Sequence, residues 1–238
     1  MTANSETTSY DSIAEIFLAH IAQPDSWNNL HERPHTLARL PALQGKNVLD
    51  LGCSSGFYTE YALENGASVT GVDISKVLIE KLESRLKSPK LRLFRADIGK
   101  PMPFLDSASF DCAICSLVID YIKDWAPLFA EMYRVVKKGG RVVISTHHPF
   151  ATYQHFQQYG YFDFKLVEDT WGLATGRPFK TRYYIRPLNE LLRPIIQSEF
   201  KIISIDEPLP TEKCKEIDPE TYERLSERPA FLFIVLEK

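Results

Sequence analysis

The chain has 238 residues, enough for one sizeable core, and its 44% hydrophobic and 25% charged residues are typical of a globular protein. Its formal charge of -3 argues against the broad basic surface that phosphate-driven binding of nucleic acids uses. The first residues, MTANSETTSY, lack the basic and apolar parts of a signal peptide, and no apolar run approaches the roughly 20 residues that span a bilayer. We therefore expect a cytoplasmic protein without a membrane segment.

Along the chain, helical patterns alternate with short apolar runs. Residues 1–45 are expected to form a helical cap that contains an amphipathic helix at 10–23. The predicted strands of the following core, residues 46–146, are 47–52, 68–73, 91–97, 110–118 and 141–146. The predicted helices between them are 56–66, 75–87 and 125–140, the last closed by two glycines. Such alternation predicts an α/β fold with a mostly parallel sheet and helices on both faces.

Residues 147–186 break this alternation, because they show no clean periodicity and contain eleven aromatic side chains. The segment directly follows the fifth strand, at the carboxyl edge where open α/β sheets bind ligands. It is therefore expected to be a lid whose rings pack over the sheet edge, line a pocket for a flat or apolar acceptor, or do both. Residues 187–238 are expected to complete the single domain with a helix at 188–200, despite Pro194, and two strands, one of them antiparallel.

The stretch VLDLGCSSGFYTE, residues 48–60, joins a buried strand to a helix through a turn of small residues. Its glycines follow the pattern G-x-x-x-G, which differs from the G-x-G-x-x-G turn that binds a pyrophosphate. Asp73 ends the next strand, where an acid can accept hydrogen bonds from both hydroxyls of a ribose. The two features together favour a ligand that contains adenosine but no pyrophosphate. The alternative is that Asp73 only caps the helix that begins near Ser75.

At these residues the chain resembles the class I S-adenosylmethionine-dependent methyltransferases, closest to the small-molecule branch that includes the ubiquinone-biosynthesis-type enzymes. VLDLGCSSGFYT is similar to the family's first motif, which usually has a glycine where Ser54 stands. The later motifs are matched in order by VTGVDIS, RADIGKPMPF, SFDCAICSLVIDYI and VVKKGGRVVIST, so the resemblance covers roughly residues 8–146. It implies a Rossmann-like fold with a seven-stranded, mostly parallel sheet and one antiparallel strand. It also implies S-adenosyl-L-methionine as cofactor, S-adenosyl-L-homocysteine as product, and no metal.

The resemblance assigns the first loop to the methionine part of the cofactor. Gly52 and Gly56 would let the backbone approach it, and Cys53 and Ser54 lie between them. Asp50 would order the loop or contact the ammonium group. We expect Ser54 to fit if its φ is negative, since it stands where the family usually has glycine.

The adenosine part is assigned to the ends of the second and third strands. Asp73 would hold the ribose, and Ile74 would pack on the adenine. Asp97 would accept from the adenine amino group, with Ile98 alongside. As a structural alternative, Ile74 belongs to the core.

Three further residues are expected near the reactive end of the cofactor. Cys115 and Ser116, at the end of the fourth strand, would border the methionine part and the sulfonium. Tyr10, before the first helix, matches a tyrosine that often closes over the cofactor. Its alternative role is ordinary helix packing.

Methyl transfer needs mainly alignment and desolvation of the partners, and it needs a base only when the acceptor must lose a proton. The candidates for a base at the carboxyl edge are His147 and His148, directly after the fifth strand, and Asp120, after the fourth. Each has a structural alternative, and Asp120 in particular could cap the helix that follows it. Of these roles we favour a binding contact by one histidine over general-base catalysis.

A metal site is not expected. Cys112 and Cys115 form a C-x-x-C pair, but they lie in a predicted strand, where residues three apart point to opposite faces. No second Cys or His pair stands at ligand spacing. Both are therefore expected to be buried structural cysteines.

We therefore expect S-adenosylmethionine-dependent methyl transfer to a small-molecule acceptor. An RNA or protein methyltransferase and a relative that binds the cofactor without methylating remain as alternatives. The signature of base-N-methylation of DNA is absent, because SLVIDYI follows the fourth strand instead. The acceptor, the atom methylated and the oligomeric state are left open.

Overall fold

The computed structural model describes residues 10–172 and 176–238, and within them it contains one seven-stranded and one two-stranded sheet. Residues 1–9 lie outside this range. They include the stretch that argues against a signal peptide, except for Tyr10, and the start of the expected cap. Residues 173–175 of the expected lid lie outside it as well. Among the described residues, no helix has both the length and the apolar character needed to cross a membrane.

The large sheet places β1 and β4 at its centre and β5 beside them. The strands are β1 (Asn47–Leu51), β2 (Ser68–Asp73), β3 (Leu91–Arg95), β4 (Phe110–Ser116), β5 (Val136–His147), β6 (Lys165–Trp171), β7 (Phe179–Ile185), β8 (Lys201–Asp206) and β9 (Phe231–Glu237). The order in the large sheet is β3-β2-β1-β4-β5-β9-β8. All pairs from β3 to β5 are parallel, and β9 runs antiparallel to both of its neighbours. This confirms the predicted Rossmann-like sheet with one antiparallel strand.

Helices cover both faces of this sheet and also form the cap. They are α1 (Ala14–Ile21), α2 (Arg33–Arg39), α3 (Phe57–Glu64), α4 (Lys76–Arg85), α5 (Ala126–Val135), α6 (Pro149–His155), α7 (Leu188–Gln197), α8 (Glu212–Ile217) and α9 (Pro219–Glu227). Short helical turns occur at Tyr10–Ser12, Asn28–Glu32 and Ile119–Tyr121. The predicted helix at 10–23 is thus a turn followed by α1, and α7 is helical despite Pro194.

The core divides into one apolar cluster on each face of the sheet. Cys112 and Ile114 pack with Tyr58 and Ala62 of α3, whereas Cys115 packs with the residues of α5 and α7 on the other face. Because the two cysteines belong to different clusters, their sulfurs diverge as predicted. All four cysteines of the chain are free and buried.

The predicted helix at 125–140 is too long. α5 ends at Val135, and the residues that follow belong to β5, which pairs with β4 from Val136 onwards. The N–H of Gly139, at a φ of +74°, donates to the carbonyl of Lys238 at 2.6 Å, and the N–H of Lys238 donates to the carbonyl of Gly140 at 3.1 Å. The glycines are therefore held by the end of the chain instead of closing a helix.

The expectation that residues 147–186 are irregular is also wrong. The segment forms α6 and an antiparallel hairpin, in which β6 pairs with β7 from Lys165↔Ile185 to Trp171↔Phe179. Phe156, Val167, Tyr183 and Ile185 form a small apolar cluster between the helix and the hairpin. The period-2 pattern of β7 is present in FKTRYYI, but it is short and the dense aromatics obscure it.

Candidate active site

A cavity of about 780 Å³ opens at the carboxyl edge of the large sheet. Its walls come from the loop after β1, the ends of β2, β4 and β5, the cap with α1 and α2, the β6–β7 hairpin and α9. Parallel strands bring their carboxyl ends to one edge, so residues far apart in the sequence meet here.

The structure brings about half of the predicted site residues to this cavity. Those that line it are Tyr10, Gly52, Cys53, Ser54, Asp73, Ser116 and His147. Those that do not line it are Asp50, Gly56, Ile74, Asp97, Ile98, Cys115, Asp120 and His148. Contrary to expectation, Cys115 does not border the cavity, because it is fully buried in the core. Ile98 is likewise a core residue, whereas Ile74 is 41% exposed, which excludes the core alternative for Ile74.

The loop after β1 approaches the cavity with its backbone. Gly52 has a φ of +72°, and a Cβ at this position would lie 2.5 Å from Cγ2 of Val118. Gly56 has a φ of +82° and a similar restriction against Leu82. Ser54 has a φ of +47°, so the condition under which a serine was expected to fit here, a negative φ, is not met. Its Oγ is buried without a hydrogen-bond partner among the described residues.

Asp73 stabilises this loop and also faces the cavity. Its Oδ2 accepts from the N–H of Ser54 at 3.0 Å, and its Oδ1 accepts from the N–H of Ser75 at 2.8 Å. The cap of α4 is Ser75, whose Oγ accepts from the N–H of Leu78 at 3.1 Å, so the capping alternative for Asp73 is wrong. Burial raises the pKa of the Asp73 carboxyl. Its ribose contact stays a prediction.

Asp50 lies behind the loop, only 2% exposed. Its Oδ2 accepts from Oγ1 of Thr59 on α3 at 2.6 Å. Burial raises the pKa of this carboxyl to about 7, and the nearby charge of Asp73 adds to the rise. This position suits the expected role of ordering the loop, and it gives no contact with the cavity.

His147 and Asp120 form a hydrogen-bonded pair at the cavity wall. The Asp120 carboxylate, only 4% exposed, accepts from Nδ1 of His147 at 2.9 Å, from the His147 N–H at 3.2 Å and from Oγ1 of Thr146 at 2.7 Å. Burial alone would raise the pKa of Asp120, but the hydrogen bond and charge of His147 outweigh it and hold the pKa below its ordinary value. An ionised carboxylate at Nδ1 leaves Nε2 as the acceptor nitrogen of the ring.

Aromatic rings surround this imidazole. His147 stacks on Tyr183 with 5.2 Å between ring centroids and 22° between planes, and Trp171 and Phe231 each lie 6.0 Å away. The Asp169 carboxylate accepts from Nε2 of His155 at 2.9 Å, from Nε1 of Trp171 at 2.8 Å and from the hydroxyl of Tyr183 at 3.0 Å. The hairpin thus fixes two of the rings around His147.

His148 has a structural role outside the cavity. Its Nδ1 accepts from the N–H of Phe150 at 3.1 Å, which caps α6, and its Nε2 donates to Glu207 at 2.5 Å. Both ring nitrogens are therefore engaged. Of the two candidate histidines, only His147 can reach an acceptor in the cavity.

Glu32 and Arg33 line the cavity but were missed in the sequence. Glu32 is 1% exposed, and four hydroxyl groups donate to its carboxylate: Thr36 at 2.7 Å, Tyr58 at 2.6 Å, Ser116 at 2.8 Å and Ser145 at 2.6 Å. The sequence HERP carries no motif, and the partners of Glu32 come from four other elements. Nothing in the local pattern signals a buried acid here.

Tyr10 lines the cavity, and its expected closure over the cofactor stays a prediction. Its hydroxyl shares a hydrogen bond with that of Tyr121, and its ring packs edge-on against Phe17 with 4.7 Å between centroids. Asp97 instead accepts from the N–H of Gly99 at 3.0 Å. Within residues 10–172 and 176–238, no group of three or more His, Cys, Asp or Glu side chains is placed to hold a metal ion.

Comparisons with known proteins place the chain among methyltransferases. A family model described as "Methyltransferase domain" matches residues 49–144. A ubiquinone biosynthesis O-methyltransferase of Pseudomonas aeruginosa is 32% identical over 109 residues, 44% of this chain and 45% of that protein. A demethylmenaquinone methyltransferase of a Geobacillus species is 31% identical over 158 residues, 64% of this chain and 66% of that protein.

A solved structure extends the similarity to almost the whole chain. The S-adenosylmethionine-dependent methyltransferase of Mesorhizobium loti is 27% identical, with a TM-score of 0.72 over 90% of this chain and 100% of that one. The observed strand order and the glycine loop at the carboxyl edge agree with these matches. The chain is therefore an S-adenosylmethionine-dependent methyltransferase, similar to the ubiquinone-biosynthesis-type enzymes of class I.

Proposed function

We propose that the chain transfers the methyl group of S-adenosylmethionine to a hydroxyl group on a small aromatic acceptor, with His147 as general base. The observation that carries this proposal is the His147–Asp120 pair, at 2.9 Å, in a cavity wall built from aromatic rings. A base is useful only for an acceptor that must lose a proton, and a hydroxyl group is such an acceptor. The names of the two curated relatives, which refer to ubiquinone and demethylmenaquinone, support a quinone-related acceptor.

The residues present fit the cofactor. The Gly52 backbone borders the cavity where a side chain would collide with Val118, so nothing stands between the loop and a ligand. The Ser54 Oγ lacks a partner among the described residues, and Asp73 has acceptor capacity at the same wall. We propose that Gly52, Ser54 and Asp73 hold the cofactor, which supplies an electrophilic methyl group on a sulfonium.

The other steps belong to the side chains of this chain. Asp120 fixes the imidazole through Nδ1, so that Nε2 can accept the proton of the acceptor hydroxyl. Tyr183, Trp171 and Phe231 provide flat surfaces against which an aromatic acceptor can align, and they exclude water from the reacting atoms. Residues 147–186, which supply His147 and two of these rings, would then cover the acceptor as the lid expected from the sequence.

The test measures release of S-adenosylhomocysteine from the purified protein with a panel of hydroxylated aromatic compounds, including quinols. We expect His147→Gln to lower kcat by roughly 10²-fold or more while the affinity for the cofactor is retained. His35→Gln is the matched control, because His35 lies outside the cavity and donates to the carbonyl of Leu209. Normal turnover by His147→Gln would refute the general base, and absence of release with every compound would refute the acceptor class.

A further inference from the structure

Arg186 is a buried cation outside the cavity. It directly follows β7, is 7% exposed and does not line the cavity wall. Its Nη2 donates to the carbonyl of Ile122 at 2.7 Å, and its Nε is buried without a hydrogen-bond partner among the described residues. A buried guanidinium with so few hydrogen bonds is costly to the fold, so its position calls for an explanation.

Arg186 and Trp125 together hold the short turn after β4 that carries Asp120. The guanidinium lies 4.1 Å from the centre of the Trp125 ring. Nε1 of Trp125 donates to the carbonyl of Ile119 at 2.9 Å and to that of Ile122 at 3.1 Å. A bound carbonyl group therefore stands on each side of Asp120, and the carbonyl of Ile122 is bound by both side chains.

Arg186 also connects this turn to the β6–β7 hairpin. Its guanidinium lies 4.8 Å from the centre of the ring of Phe164, which directly precedes β6. Three residues before Arg186, Tyr183 stacks on His147. The Asp120 carboxylate accepts from Nδ1 of the same imidazole. The turn and the hairpin thus contact His147 through Asp120 and Tyr183, and Arg186 bonds to the turn from the end of the hairpin.

The charges of Arg186 and Asp120 stabilise each other. Burial lowers the pKa of Arg186 to about 10, and the charge that opposes this shift most is that of Asp120. Burial raises the pKa of Asp120, whereas the hydrogen bond and charge of His147 lower it most, with a smaller contribution from Arg186. Arg186 therefore helps to keep Asp120 ionised, which is the form that accepts from Nδ1 of His147.

We propose that Arg186 is a positioning residue, which holds the turn after β4 so that Asp120 keeps His147 aligned with the cavity. The inference rests on the proposed function, in which His147 is the base. Arg186 lies outside the cavity, so in this proposal it touches neither the cofactor nor the acceptor. Its removal should act on catalysis only through His147.

NMR of the histidine side chains, with isotope-labelled histidine, tests this without any ligand or turnover. The Nδ1 proton of His147, bonded to a carboxylate, should give a strongly deshielded signal that His147→Gln removes. We expect Arg186→Met to shift this signal upfield or broaden it beyond detection, because the carboxylate that binds the proton is no longer held. Arg134→Met is the matched control, because Arg134 also donates to backbone carbonyls, of Met102 at 3.1 Å and Leu105 at 2.8 Å, away from the cavity.

Kinetics in two backgrounds distinguish positioning from a general loss of structure. The assay is release of S-adenosylhomocysteine with a hydroxylated aromatic compound that the parent turns over. In the parent, Arg186→Met should lower kcat by about tenfold or more and leave the affinity for the cofactor unchanged. In His147→Gln it should change kcat by less than about twofold, because the base through which Arg186 acts is gone. Arg186→Lys keeps the charge and a donor, so it should show the same pattern with a smaller loss.

The outcomes separate this inference from the function on which it rests. An unchanged His147 signal in Arg186→Met, or an equal loss of kcat in both backgrounds, would overturn the role of Arg186 alone. Normal turnover by His147→Gln would refute the base of the proposed function, and this inference with it. Arg186→Lys takes the place of Arg186→Met in both measurements if the latter does not fold.

Discussion

Asp50→Asn should remove a large part of the pH dependence of stability between about pH 4 and pH 7. Burial raises the pKa of this carboxyl from 3.8 to about 7 in the folded chain. A difference of about three pKa units corresponds to about 4 kcal/mol of differential stability. Because the folded chain holds this proton more tightly than the unfolded chain does, the contribution is fully present below pH 4. It is lost as the pH rises through 7.

The measurement is urea denaturation of the parent and of Asp50→Asn at several pH values in this window. Each protein gives a curve of the free energy of unfolding against pH. The difference between the two curves gives the contribution of Asp50, since the other titrating groups are common to both proteins. The parent should lose up to about 4 kcal/mol more than the variant between pH 4 and pH 8. The two proteins are compared by the slope of the free energy of unfolding against pH. Its absolute value would also contain the altered hydrogen bond between the Asn amide and Thr59.

Thr59→Val provides a matched perturbation of the same carboxyl. The Thr59 hydroxyl donates to Asp50 at 2.6 Å, and this bond lowers the pKa that burial raises. Without this bond the pKa of Asp50 should be higher, so the free energy of unfolding should keep falling to a higher pH than in the parent. Parallel curves for the parent and Asp50→Asn would refute the reasoning, because they would mean that the buried carboxyl keeps an ordinary pKa.

Two further predictions follow from the backbone of the loop and from the thiols. Gly52→Ala should destabilise the fold more than Gly45→Ala when both are measured by urea denaturation. Both glycines have a φ near +70°, a strain of about 1–2 kcal/mol for alanine, but only at Gly52 would the new Cβ meet Val118 at 2.5 Å; equal losses would contradict the collision. The Cys112 and Cys115 thiols should react with a thiol reagent only as fast as the protein unfolds, because burial raises the pKa of Cys112 to about 12 and also raises that of Cys115. Rapid reaction in the native state, followed by absorbance, would show that these cysteines are accessible.

Local patterns predicted the sheet because its strands carry their own signals. VLDLG and SVTGVD are short apolar runs, the first followed by a turn of small residues, and the resemblance adds the number of strands and the one antiparallel strand. The divergence of Cys112 and Cys115 follows from the period of a strand alone. The prediction of a helix over 125–140 failed because the residues after Val135 pair with β4 and bond to the distant Lys238, partners that the local pattern does not show.

The site was predicted less completely, because its chemistry depends on partners that are remote in sequence. The sequence predicts His147 and Asp120 as two separate candidates for a base. Only the fold shows that they form one hydrogen-bonded pair. His148 has the same position relative to β5, yet its bonds to Phe150 and Glu207 remove it from the cavity. Glu32 carries no signal at all, since its donors lie on four separate elements.

The three buried acids near the cavity have different hydrogen-bond donors. Asp50 has one hydroxyl donor and a carboxylate neighbour, so burial prevails and its proton is held up to about pH 7. Asp120 has an imidazole donor, which lowers its pKa and fixes the tautomer of His147. Glu32 has four hydroxyl donors, which hold its buried carboxylate in one position. The three carboxyl groups near one sheet edge thus differ in the number and kind of their donors, which suits Asp50 to ordering the loop and Asp120 to orienting a base in the proposed function.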